Sequence, residues 1–364
     1  MKVLDTKLNK RIFVIDLLRG VAVLLVLFRH FHNLDYTIKV PILSKIGWIG
    51  VDLFFVLSGF LISGLLFNEI KRKGKINFKR FFIRRGFKIY PLFYMLIMLI
   101  ILLKILTHKE LNINNILSEL FFLQSYKEGM LVHTWSLGVE EHFYIFLPLL
   151  LILFIKFNKS DFENNKVIQL TFIVIAVFCL ATRIITSNYY HFNVYRSIFN
   201  SHIRFDSLFL GVFISYYYNY KLKYLEKWYS KYKYYILMLF FISMIIPLCF
   251  DIFDYVIYTF GFSIIALGFG ALLLILLLNK DSLAIKKMET NFLFKFLSYI
   301  GFYSYSIYLW HIPIEGVIMK TNLYNKIYLY PLFLAYVFVC IIFGAFFSKI
   351  VEIPILKIRD KYFP

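Results

Sequence analysis

Residues 12–31 read IFVIDLLRGVAVLLVLFRHF, an apolar run broken by Asp16, Arg19, Arg29 and His30. As a helix, a run of this length crosses a hydrocarbon core of about 30 Å. Arg19 and His30 stand eleven residues apart. At about 100° per residue that is three turns plus roughly 20°, so the two share one helix face, separated by about 16 Å along the axis. An ionisable side chain in a membrane helix costs several kcal/mol unless it is paired or lines a polar cavity. Two on one face imply a functional lining through a bilayer. The plainer alternative pairs Arg19 with Asp16 one turn earlier and leaves His30 marking the helix end.

The rest of the chain has the same character. Of its 364 residues 60% are hydrophobic and 21% aromatic, outside the soluble globular range. Ten apolar spans are expected, at about 12–34, 47–68, 89–107, 131–155, 167–186, 204–220, 234–250, 255–278, 296–318 and 327–348, giving an all-α membrane domain over residues 1–364. With the N-terminus inside, the inner segments hold 29 Lys and Arg and the outer loops 7, so both termini are expected on the cytoplasmic side. That distribution explains the net charge of +20 without nucleic acid. The first run lacks a small-residue cleavage site and reads as a retained span. Cys179, Cys249 and Cys340 lie singly in apolar runs, with no metal-binding spacing, and read as small hydrophobes. Tyrosines near span ends, such as Tyr90, Tyr94, Tyr216 and Tyr255, read mostly as an interfacial belt.

Six blocks recur in order from residue 19 to residue 311. They are Arg19-x10-His30, the GVDLFFVLSGF of residues 50–60, the RRGFKIYP of 84–91, the TWSLGVEEHFY of 134–144, the RFD of 204–206 and the SYSIYLWH of 304–311. Together they resemble the acyltransferase-3 family of integral-membrane acyltransferases, of the O-antigen and surface-polysaccharide O-acetylase type. The resemblance implies transfer of an acyl group, most simply acetyl, from acyl-coenzyme A to a glycan hydroxyl. It also implies a multi-pass place in the bacterial inner membrane and an acceptor such as lipopolysaccharide, capsule or exopolysaccharide. Acetyl-coenzyme A would be a co-substrate, with no bound cofactor or metal. Only Lys349–Pro364 follow the last expected span, so the esterase-like domain fused to some members is not expected in this sequence.

Acyl transfer to an alcohol needs a base, and a neutral imidazole serves near pH 7. The resemblance gives that place to His30, as general base or as acyl relay, with Arg19 on the same helix face about 16 Å away. His32 points elsewhere on a helix and reads as interfacial. Asp52 either holds the His30 imidazole in one tautomer or caps its helix. Adjacent Glu140 and Glu141 point about 100° apart. The resemblance favours Glu140 in the cavity, orienting His30 or accepting a hydrogen bond from the sugar. His142 is a departure from the family pattern and a second possible proton carrier.

Nine of the eighteen residues from Lys71 to Lys88 are basic. Part of that sets topology, and anionic lipid would explain more. Coenzyme A phosphates would suit Arg84, Arg85 and Lys88, just before Tyr90 and a Pro91 expected at a helix's first turn. Trp135, Ser136, Glu141, His142, Arg204, Asp206, Trp310 and His311 are expected as further lining. A transporter or flippase with a polar path is the rival reading, but no inverted-repeat symmetry is visible.

Overall fold

The computed structural model describes residues 12–31, 43–157, 166–320 and 329–363, so His32 lies outside the described residues. Among the described residues every regular element is helical. The main helices are α1 (Phe13–His30), α2 (Ile49–Lys73), α3 (Phe78–Leu106), α4 (Ile113–Leu120), α5 (Trp135–Phe157), α6 (Lys166–Tyr189) and α7 (Phe205–Tyr220). They continue with α8 (Leu222–Cys249), α9 (Phe262–Leu278), α10 (Phe292–Phe302), α11 (Ser304–Lys320), α12 (Leu329–Phe347) and α13 (Ile353–Tyr362).

Among the described residues, seven helical stretches are long and apolar enough to cross a membrane, which makes this a multi-pass membrane protein. Three of the ten expected spans fall short of that standard for separate reasons. α1 carries Asp16, Arg19 and Arg29, α7 has 16 residues, and the region of the ninth span is split into α10 and α11 at Tyr303.

Two further expectations are corrected. The basic stretch before Tyr90, expected to lie between two spans, is largely helical, and Pro91 is not in a first turn. α2 runs to Lys73 and ends at Gly74, whose φ of 65° suits the left-handed cap. After a short turn, the Asn77 side chain accepts from the Arg80 N–H at 2.9 Å and starts α3. Arg80, Arg84, Arg85 and Lys88 therefore stand on the first turns of a 29-residue helix. Nor does the chain trail off after Lys349. A π-turn over Ser348–Glu352 leads into α13, which packs on α3 through Phe87 and Phe363, ring centroids 5.7 Å apart.

α2 is the central helix, and glycines set how closely its neighbours approach. A Cβ on Gly59 would sit 1.9 Å from the Leu208 carbonyl oxygen, and one on Gly211 would sit 2.1 Å from that of Val56. The α2–α7 crossing is thus closed to any side chain at either position. On another side, Gly50 of α2 and Gly47 just before it face the Ala22 and Leu25 carbonyls of α1, while Gly64 meets Ser215 Oγ at 3.3 Å and Asn219 Nδ2 at 3.8 Å. Two faces of α2 are thereby committed, and Val51, Phe54, Ser58, Leu61 and Ile62 remain to line a cavity.

Between α4 and α5 the chain is held by Glu119, which is fully buried and accepts from the Leu131 N–H at 3.0 Å and from Thr134 Oγ1 at 2.8 Å. Burial outweighs these two bonds and pushes its carboxyl up to about 7. The native protein therefore holds this proton more tightly than the unfolded chain. The group's contribution to stability is full below about pH 4.5 and is lost as pH rises towards about 7. Glu119→Gln keeps an acceptor and cannot ionise. In thermal unfolding between pH 4.5 and 8, the variant should gain on the parent by up to roughly 3 kcal/mol as pH rises. Parallel curves would show that the carboxyl does not titrate in that window.

Candidate active site

A cavity of about 150 Å³ lies between α1, α2, α3, α5 and α11. Its cationic lining is Arg19, Arg85 and Lys88, its carboxylate is Glu140, and Ser58, Ser136, Ser304, Tyr144, Tyr305 and Tyr308 supply hydroxyls. Glu140 is held by two donors, Ser58 Oγ at 2.8 Å and the Tyr144 hydroxyl at 2.7 Å. Tyr144 stands one turn after Glu140 on α5, a spacing that brings side chains together. Arg19 also lies 3.8 Å from Asp16, a weak pair, so the lining position and the i,i+3 partnership hold at once.

The three basic side chains of α3 have different surroundings. Arg84 is outside the cavity, paired to Asp360 of α13 at 3.1 Å and donating to the Phe363 carbonyl. Lys88 reaches the cavity edge and is paired to Glu352. Arg85 faces the cavity with the Phe81 and Tyr144 rings each 5.8 Å away, and among the described residues it makes no hydrogen bond or ion pair.

His30 does not line the cavity. Its Nδ1 lies 3.1 Å from the Val26 carbonyl oxygen and 3.2 Å from Nε2 of His311. His311 is fully buried, and its Nδ1–H donates to the Tyr308 carbonyl. The ring of His133 lies 4.8 Å from that of His311, and its Nε2–H donates to the Leu309 carbonyl at 3.3 Å. Pro313 accounts for that last bond: lacking an N–H, it leaves the carbonyl four residues back without a helical donor. Tyr308 joins the two regions. It lines the cavity, shares a 2.7 Å hydrogen bond with Ser136, donates to the His133 carbonyl, and has its ring 5.3 Å from that of His311.

Asp52 is not beside His30. It is buried and accepts from Arg204 at 2.6 Å, and the Arg204 guanidinium lies 3.6 Å from the centre of the Phe262 ring. Helical register explains this, because Asp52 follows the cavity-facing Val51 by about 100° and so turns to the α7 side. Asp206 pairs at 2.8 Å with Arg183, which also donates to the Ile203 carbonyl at 2.7 Å, so Arg204 and Asp206 serve the packing of α2, α6 and α7 and not the cavity. Trp135 stacks on Phe199 at 4.5 Å and Trp310 on Phe347 at 4.5 Å, both outside the lining. Glu141 accepts from the Tyr90 hydroxyl at 3.1 Å, turning both inward on each other and away from the cavity. Tyr90 therefore has an interior partner, and Tyr216 is fully buried, so neither belongs to a lipid-facing belt. His142 bonds Ser201 Oγ at 2.7 Å in a separate cluster with Ser125 and Tyr126.

The expected set thus divides. Arg19, Arg85, Lys88, Ser136 and Glu140 share the cavity, and His30 with His311 lies beyond Tyr308. Sequence reasoning passed over Ser58, Tyr305 and Tyr308, although all three lie inside quoted blocks. The signal was helical register: Ser304, Tyr305 and Tyr308 fall on one face of α11.

A family profile described as an acyltransferase domain matches residues 12–349. A protein of Staphylococcus aureus (strain COL), provisionally named an O-acetyltransferase, is 29% identical over 97% of this chain and 59% of its own length. The peptidoglycan O-acetyltransferase OatA of Listeria monocytogenes is 31% identical over 40% of this chain and 25% of its own. An uncharacterised Haemophilus influenzae protein is 31% identical over 46% of this chain and 75% of its own. The chain therefore spans a little over half the length of the staphylococcal relatives it matches. No solved structure matches it.

Proposed function

The chain belongs to this acyltransferase family, and on that premise we propose that it transfers an acetyl group from acetyl-coenzyme A to a hydroxyl of a surface or lipid-linked glycan in the bacterial inner membrane. One observation carries the reading: a cavity that gathers Arg19, Arg85 and Lys88 opposite a hydrogen-bonded Glu140, with Arg85 lacking any ionic partner among the described residues. A guanidinium so placed suits an anionic ligand, and phosphate-bearing coenzyme A fits that chemistry. The volume, comparable to a cavity that takes up benzene, suits an acetyl thioester better than a long acyl chain.

In this reading the donor enters at the end of the bundle where α3 begins, on the cytoplasmic side given the excess of Lys and Arg there. Its thioester lies near Glu140 and Tyr308. His30, beyond Tyr308, takes the proton of the acceptor hydroxyl through Nε2. The hydroxyl oxygen bonds to the acyl carbon, the C–S bond breaks and the coenzyme leaves as thiolate. The O-acetyltransferase names of the staphylococcal and Listeria relatives support the chemistry, and the Listeria name supports a glycan acceptor.

The test is mass spectrometry of surface glycans from cells lacking and carrying the chain. A base-labile acetyl ester that depends on the chain is the expected result. A glycan of unchanged mass, redistributed between the membrane faces, would replace transfer with transport.

A further inference from the structure

Three imidazoles, those of His30, His311 and His133, lie side by side, and each faces a backbone carbonyl that fixes one of its protons. The Tyr308 carbonyl can only accept, so the His311 nitrogen facing it, Nδ1, carries the hydrogen. A neutral His311 then presents a lone pair at Nε2, which meets Nδ1 of His30 at 3.2 Å. The Val26 carbonyl, also an acceptor only, faces that same Nδ1 of His30 at 3.1 Å. One hydrogen on Nδ1 of His30 serves both contacts, and a neutral His30 then carries its lone pair on Nε2.

We infer that His311 is the positioning residue of the reaction, holding His30 in the tautomer whose Nε2 accepts the acceptor hydroxyl's proton. This rests on His30 acting as the base, as proposed above. The device is buried and braced: His311 is fully enclosed, with its ring 4.8 Å from that of His133 and 5.3 Å from that of Tyr308. Its partner carbonyl belongs to α11 just ahead of Pro313, and His133 bonds the next carbonyl along. In hydrolytic triads a carboxylate holds the catalytic histidine in register. Here that place is taken by a neutral imidazole, which adds no second charge to an apolar interior. His311 is not among the residues lining the cavity described above, so its effect on a substrate there runs through His30.

The purified protein in lipid nanodiscs provides the test, with acetyl-coenzyme A as donor and a soluble glycan fragment as acceptor. His311→Phe keeps a ring and removes the lone pair; His311→Gln restores an acceptor oxygen. The phenylalanine variant should lose kcat on the order of 10–100-fold with KM for acetyl-coenzyme A unchanged, and the glutamine variant should recover most of it. A merely structural histidine would be hurt about equally by both, with KM and yield of folded protein moving together, and that pattern would overturn the inference. Nitrogen-15 spectra of the histidine-labelled parent, with the His30 signal identified by its loss in His30→Gln, read the tautomer directly. Protonation at Nδ1 is expected, and protonation at Nε2 would overturn the inference even if His311→Phe failed to fold. Full activity in His30→Ala would instead overturn the base assignment, whereas an inactive His30→Ala beside a fully active His311→Phe would remove only the role of His311.

Discussion

Replacing His30 with alanine is expected to lower acetyl transfer by about 10²–10⁴-fold while the protein still accumulates in the membrane. The magnitude is that of a lost general base, and the folding expectation comes from the structure. His30 is the last residue of α1 and is only partly buried, so truncation opens no large cavity in the packed interior. What it removes is the Nε2 lone pair at the far end of the path that runs through Tyr308 and His311. Rates of acetyl-ester formation, set against abundance by immunoblot of membranes, separate the two effects. Activity near the parent's would move the proton-accepting role to His133 or His142, and these can be told apart because His133 contacts His311 while His142 sits with Ser201.

The second large effect separates neighbours that look equivalent in the sequence. Arg85→Ala should weaken acetyl-coenzyme A binding by about 10–100-fold, the equivalent of one or two charge-assisted hydrogen bonds. Arg84→Ala should leave donor affinity near the parent's and loosen α13 instead, because its partners are Asp360 and the Phe363 carbonyl. Equilibrium binding of labelled acetyl-coenzyme A measures the first. Limited proteolysis after Glu352 measures the second. Equal losses of affinity in the two variants would mean that the tail leaves Arg84 when the donor arrives, and that the partition drawn here is wrong.

Much of this was legible in the chain, and the reasons are specific. Long apolar runs announce membrane helices because a bilayer demands about twenty such residues, and the six ordered blocks announce the family. The facing of Arg19 follows from its interval, and the cavity position of Glu140 agrees with the family block. The pairing of Asp52 was not legible. Nothing local distinguishes a carboxylate aimed at His30 from one aimed at an arginine far along the chain, and the decision was made by the glycine-tight α2–α7 crossing. Nor was the split among Arg84, Arg85 and Lys88, since it depends on α13 folding back onto α3. Pro313 was visible as an interruption, but the use of the freed Leu309 carbonyl by His133 required knowing which helix lies opposite.

The pair of Asp52 with Arg204 joins residues 152 positions apart. A ribosome adding about 5–20 residues per second needs roughly 8–30 seconds to cover that interval. For that time α2 exists with its carboxylate and without its counter-ion, next to a lipid phase that penalises charge. The nascent chain must therefore keep Asp52 protonated, keep it at the water boundary, or shelter it within the insertion machinery until α7 arrives. Arg204 is the residue that immediately precedes α7, and the Gly211 notch lies within that sixteen-residue helix, so charge neutralisation and close docking happen in one event. An arrested nascent chain ending before residue 204 should thus hold α2 at the insertion machinery, and one carrying Asp52→Asn should release it early.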